Sequence, residues 1–236
     1  MAHYLYLLID FLSLLFPLTF SFYPKANFSK KWKFLWPALA AGMIPFIVWD
    51  VLFTDWGVWG FNPSYVSGIY FINLPLEEVL FFLCIPYACV FTYEAINYLM
   101  PQRAPGPLIT QFIADALIFG LLITGTLYHD RWYTSVTFFG TAAFLVLLRR
   151  TWQVTFLGKF FLAFLFILVP FFLVNGVLTG SGLPAPVVWY NNQENMNIRI
   201  GTIPAEDVFY GMLLLLINVS VFEYGIHRQK KSANSH

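Results

Sequence analysis

Leu74-Pro75-Leu76-Glu77-Glu78-Val79-Leu80-Phe81 and Ile203-Pro204-Ala205-Glu206-Asp207-Val208-Phe209-Tyr210 share one pattern: apolar-Pro-x-Glu-acid-Val-x-aromatic. Each octet opens a long apolar run. Proline fits the first turn of a helix, and carboxylates just after it complement the helix dipole. Each octet therefore predicts a helix start. The likeness extends outward. Glu94 lies sixteen residues after Glu78, and Glu223 sixteen after Asp207. Asp50, near the end of an earlier apolar run, has Asn175 as its rough counterpart. The chain reads as a duplicated unit.

Composition supplies the setting. Of 236 residues, 59% are hydrophobic, 20% aromatic and 11% charged, against roughly 25% charged in an average soluble domain. Mean hydropathy is +0.68. That charge is too sparse to cover a soluble surface, and the apolar content excludes disorder. A net charge of +1 leaves no footprint for nucleic acid. Cys84 and Cys89 have neither disulfide nor metal spacing and read as packing residues. The N-terminus lacks a basic segment and a cleavage site, so it reads as a retained first span.

Apolar runs of spanning length fall at about 3–23, 33–53, 75–99, 111–128, 132–149, 157–178 and 204–226. The fold class predicted is an all-α integral membrane protein of seven transmembrane helices. Two parallel three-helix repeats, 1–106 and 131–236, are joined by a linker helix within 107–130. An odd linker span restores parallel orientation. Lys25, Lys30, Lys31, Lys33, Arg103, Arg149, Arg150, Lys159, Arg228, Lys230 and Lys231 then share one side, opposite Arg131 and Arg199. By the positive-inside rule the C-terminus is cytoplasmic and the N-terminus outside, in the cell membrane. Two outer loops, 54–74 and 179–203, are rich in Trp, Tyr, Gly and Asn. They read either as an aromatic belt with turn formers or as a lid over a site.

The chemistry is sought among the acids, because ionisable groups inside a membrane are functional candidates. No Lys or Arg lies well inside a span to pair with them, and an unpaired carboxylate in low dielectric tends to take up a proton. Glu77, Glu78, Glu206 and Asp207 are also explained as helix caps. Two such pairs at equivalent depth favour a catalytic role, with the pairs facing each other across a pseudo-two-fold axis. Glu94 and Glu223 belong near the cytoplasmic face, beside solvent or a basic neighbour. Asp10 and Asp115 lack repeat partners. Three chemistries suit paired acids: Mg²⁺ binding for a diphosphate, proton or cation relay in a transporter, and acid-base work on an apolar substrate. The first is disfavoured because the basic residues cluster on the opposite face. A retinal protein is disfavoured because the last span has no lysine before Lys230.

With Trp49-Asp50, the Trp56–Phe61 loop and the Tyr65…Gly68-Ile69 stretch added, the doubled motif resembles the lycopene cyclase domain family. This is the membrane type found as heterodimeric bacterial subunits and as fused chains. The resemblance implies cyclisation of the ψ-ends of lycopene to β-ionone rings, giving γ-carotene and β-carotene, with no cofactor and no metal. It implies that one acidic pair supplies the acid and the other the base, with Asp50 and Asn175 as supporting polar groups. Trp49, Phe81, Phe82, Trp189, Phe209 and Tyr210 are the aromatic candidates for steadying a carbocation. Expected partners are lycopene or a related C40 carotenoid and membrane lipid, with no nucleic acid; a homo-oligomer is allowed. Transport through the same carboxylates is the alternative.

Overall fold

The computed structural model describes residues 2–233. Helix α1 (Leu5–Phe20) leads to α2 (Trp32–Asp55), a loop with strand β1 (Trp59–Phe61), and the hairpin β2 (Tyr70–Phe71) and β3 (Leu74–Pro75). Then come α3 (Leu76–Leu99), α4 (Pro107–Leu127), and α5 (Trp132–Val146), which ends in a π-helical turn, Leu147–Thr151. Helix α6 (Leu157–Leu178) follows, then β4 (Val188–Tyr190), the hairpin β5 (Arg199–Ile200) and β6 (Ile203–Pro204), and α7 (Glu206–Ala233).

Among the described residues seven α-helices form, and six are long and apolar enough to cross a membrane. The exception is α1, at 16 residues. Its apolar run continues to Tyr23, but the helix stops earlier. Ser21 turns its hydroxyl onto the Pro17 carbonyl and against the Tyr87 hydroxyl, and Pro24 cannot extend the ladder. Large apolar side chains such as Phe11, Leu108, Phe112, Phe119 and Leu165 lie exposed, the surface expected of a protein solvated by lipid.

The duplication is visible in the packing. Helix α1 packs on α3 as α5 packs on α7. Across the halves, α2 packs on α7 and α6 on α3. The buried centre draws on Leu35, Ala38 and Leu39 of α2, Tyr87 and Val90 of α3, Phe160 and Phe164 of α6, and Leu215, Leu216 and Phe222 of α7. Each octet begins in a hairpin strand that enters its helix directly. The pairs are Phe71 with Leu74 in one hairpin and Ile200 with Ile203 in the other. The first turn residue has positive φ in both, Ile72 at 60° and Gly201 at 66°. Glycine takes that conformation freely and a β-branched residue does not.

Where α2 meets α7 the backbone comes close. A Cβ on Gly42 would lie 2.3 Å from the Asn218 Nδ2 atom. Asn218 is fully buried and tied to the Leu214 carbonyl at 2.7 Å, so it has no room to yield. Gly42→Ala is expected to destabilise the protein by about 1–3 kcal/mol through overpacking. Gly120→Ala, where an added methyl meets nothing within 4 Å, should stabilise by roughly 0.5–1 kcal/mol. Thermal unfolding of the two variants in detergent checks both.

Candidate functional site

Each octet places its two acids at the first turn of a helix, α3 or α7. Neighbours on a helix point about 100° apart, so the two acids of a pair face different surroundings. Glu77 and Glu206 turn back toward the loops. The Ser67 N–H donates to Glu77 Oε1 at 2.7 Å. The Met196 N–H donates to Glu206 Oε1 at 2.7 Å, joined by the Thr134 hydroxyl at 2.6 Å. In both halves the donor is ten residues upstream, so each glutamate pins the loop that precedes its own hairpin.

Glu78 and Asp207 turn inward and line one cavity of about 650 Å³. Tyr6 of α1 donates to Glu78 Oε2 at 2.5 Å, and Tyr133 of α5 donates to Asp207 Oδ1 at 2.5 Å. The two phenols hold matching places in the two repeats. From there the halves differ. Tyr190 of β4 adds a second bond to Asp207, at 3.1 Å. Glu78 instead faces the Asp50 carboxyl, which lies beside Trp59. Burial and the adjacent Asp207 hold the Tyr190 phenol above its ordinary pKa, so it stays a proton donor.

Around these acids stand Trp59, Tyr133, Tyr190 and Tyr210. The Trp59 ring lies 5.1 Å from Tyr133, 6.2 Å from Tyr190 and 6.1 Å from Tyr210. Tyr133 stacks on Tyr190 at 5.7 Å. The Tyr210 hydroxyl is buried with no partner. Beyond the acids the cavity runs between α1, α3 and α6, past Ser13, Phe16, Ala88, Thr92, Phe164 and Ile167 as far as Ile96. Among the described residues no Lys or Arg lines it.

The outer end is closed by strand pairing between the two long loops. β1 and β4 run antiparallel, with Trp59 opposite Tyr190, Gly60 opposite Trp189 and Phe61 opposite Val188. This register is symmetric about its central pair. Arg131 and Arg199 staple the second loop. Arg131 donates to the Asn192 and Asn195 carbonyls, and Arg199 donates to the Thr202 carbonyl and Asn192 Oδ1 and lies over the Tyr190 ring.

Of the residues singled out from sequence, Asp50, Glu78, Phe81, Asn175, Asp207 and Tyr210 line the cavity. Trp49 lies behind Tyr210 at 5.1 Å, Phe82 is wholly buried against Phe46, and Phe209 packs on Phe138. Trp189 faces Gly60 and is 43% exposed. Sequence reasoning missed Tyr6 and Tyr133, and held Trp59, Phe61 and Tyr190 only as members of the two loops read as an aromatic belt or a lid. The usable signal was the repeat itself, since Tyr6 precedes Asp10 and Tyr133 precedes Thr137 by four residues, with each pair in the first helix of its repeat. Glu94 pairs with Lys31, Asp115 with Arg149, and Glu223 accepts from Tyr93. All three sit far from the cavity acids.

The family model described as lycopene cyclase matches this chain over residues 3–96 and 130–225. No curated protein and no solved structure gives a significant match.

Removing the loop anchor has a structural consequence. Glu206→Ala leaves the Met196 N–H and the Thr134 hydroxyl without an acceptor, at about 1–3 kcal/mol per orphaned donor. The expected outcome is a lowered unfolding midpoint, largely restored in Glu206→Gln, whose amide oxygen still accepts. Thermal unfolding in detergent reads both.

Proposed function

The chain belongs to the lycopene cyclase family, and we propose that it is a lycopene β-cyclase. On this reading it closes the ψ-ends of lycopene to β-ionone rings by a proton-initiated isomerisation, giving γ-carotene and then β-carotene. The observation that carries the reading is the meeting of Glu78, Asp50 and Asp207 in one apolar, aromatic-walled cavity that no described Lys or Arg lines.

The hydrogen bonding supports one assignment of roles. Asp50 and Glu78 face each other, and two carboxyls satisfy one another only when a proton lies between them. That pair is the acid. Asp207 already accepts from two phenols, the surroundings of an acceptor, and is the base. The acid protonates the terminal double bond of the polyene, leaving a tertiary cation. The neighbouring double bond attacks it, the ring closes, and the charge moves onto a ring carbon. Asp207 removes the proton from the adjacent ring carbon that bears the polyene chain, which leaves the double bond in the β position. One proton enters and one leaves, so no redox partner takes part in the balance. Trp59, Tyr133, Tyr190, Tyr210 and Phe81 present ring faces to the cation, at about 0.5–2 kcal/mol each. Glu77 and Glu206 are positioning residues, and Asn175 supports the wall.

We place the protein in the cell membrane with its C-terminus cytoplasmic, following the distribution of basic residues. Residues 1–106 and 131–236 are taken as the two functional repeats.

Expression in lycopene-accumulating cells should turn red pigment yellow-orange, with β-rings identified by chromatography. Glu78→Gln and Asp207→Asn should each lower turnover by about 10²–10⁴-fold, the usual worth of a general acid or base. Glu77→Gln, which keeps an acceptor for Ser67, should retain most of it. Unchanged red pigment with folded protein in the membrane would refute the reading. Equal losses in Glu77→Gln and Glu78→Gln would refute the assignment of roles.

A further inference from the structure

The two halves frame the acids alike, but only one half leaves room beside them. Val174 stands where Trp49 stands, each one residue before Asn175 or Asp50. In the first half Trp49 fills that space, packing on Phe46, Phe53 and Tyr210 at 5.1–5.6 Å. In the second half the smaller valine lines the cavity. Lower down, Gly42 of α2 lets Asn218 of α7 press against the backbone and close the seam. Their counterparts, Ile167 of α6 and Cys89 of α3, both line the open groove. Helices α6 and α1 each pack on α3 but touch one another only slightly. Leu12, Phe16, Phe166 and Leu173, on the two edges of this seam, are exposed and also line the cavity.

We propose that the polyene enters sideways through the α1–α6 seam, lies lengthwise along α3, and is cyclised at one end per binding event. This inference rests on the proposed cyclase reading and deepens it. All three cavity acids sit at the end closed by β1 and β4. The groove runs from Glu78 to Ile96, about 27 Å at 1.5 Å per residue. A rod lying in it presents one terminus to the acids and holds the other at the far end. The second terminus reacts only after the molecule leaves, reverses in the bilayer and enters again. The enzyme is therefore distributive, and the monocyclic product is a released species.

The test uses the full chain in liposomes loaded with isotopically labelled lycopene. Monocyclic product should rise well above the molar amount of enzyme before bicyclic product accumulates. A chase of excess unlabelled lycopene should leave the label in the monocyclic pool. Bicyclic product from the first turnovers, with monocyclic product never exceeding the enzyme, overturns the proposal while leaving the cyclase reading intact. No ring formation at all overturns both. The entry route is read from a matched pair, since Leu173 and Val48 hold equivalent places and are both exposed, at 69% and 56%. Leu173→Trp narrows the seam and should slow turnover about tenfold or more. Val48→Trp, on the closed side, should stay within about twofold, the usual insensitivity of surface positions away from special features. Equal effects of the two overturn the α1–α6 route.

Discussion

Two neighbouring carboxyl groups at the start of a helix cannot face the same way, and the site depends on that separation. In each repeat the first acid reaches back and fixes the loop before the hairpin, and the second reaches into the cavity. The tasks are linked. A loop pinned by Glu77 or Glu206 is held where its strand pairs with the opposite loop. The paired strands close the outer end over the second acid. Proline before each pair fixes where the helix begins, so it also fixes which acid points in.

Duplication provides the frame, and departures from symmetry provide the chemistry. A reaction that takes a proton in and gives one out needs a donor and an acceptor, and a strictly symmetric site would offer two of the same. Here the first half adds Asp50 to Glu78, while the second places an amide, Asn175, at the corresponding position and gives Asp207 the extra phenol of Tyr190. The same helix pair carries the exchange of tryptophan for valine that leaves one flank filled and the other open. On the proposed reading, one stretch, the end of α2 against the end of α6, thus distinguishes the acid from the base and the wall from the groove.

The spans and the repeat were legible in the sequence, because composition and a proline-acid motif are local signals. Helices α2 to α6 lie within four residues of the apolar runs that predicted them, while α7 runs on to Ala233, past the end of its run at 226. The first stops short because Ser21 and Pro24 end it inside an apolar run. Which acid of each pair faces inward was not legible, since helical phase has meaning only against a neighbour and the neighbours come from the other repeat. Nor were the tyrosines. Tyr6 and Tyr133 sit in helices with little other likeness, and in a chain with 48 aromatic residues a ring that lines a cavity reads like one that packs. Trp49, Phe82 and Phe209 were plausible for the same reason, and the structure sets them against Tyr210, Phe46 and Phe138.

Magnitudes decide what the cavity must do beyond holding acids. A general acid contributes about 10²–10⁴-fold, roughly 3–5 kcal/mol. Four or five ring faces add several kcal/mol more, at about 0.5–2 each. Together these reach the lower part of the roughly 8–23 kcal/mol by which enzymes lower barriers. Holding the flexible end of the polyene in the folded shape that brings its double bonds together supplies a contribution of the same kind as any enforced proximity, up to about 7–11 kcal/mol. Such a constraint works only in a closed end. On the proposed mechanism the cation must also survive until Asp207 takes the ring proton, and water would capture it first. The β1–β4 cap, with Trp59, Phe61, Val188 and Tyr190 on its inner side, confines the chain end and excludes water at the same point. This accounts for why each repeat commits one of its two buried acids to holding a loop.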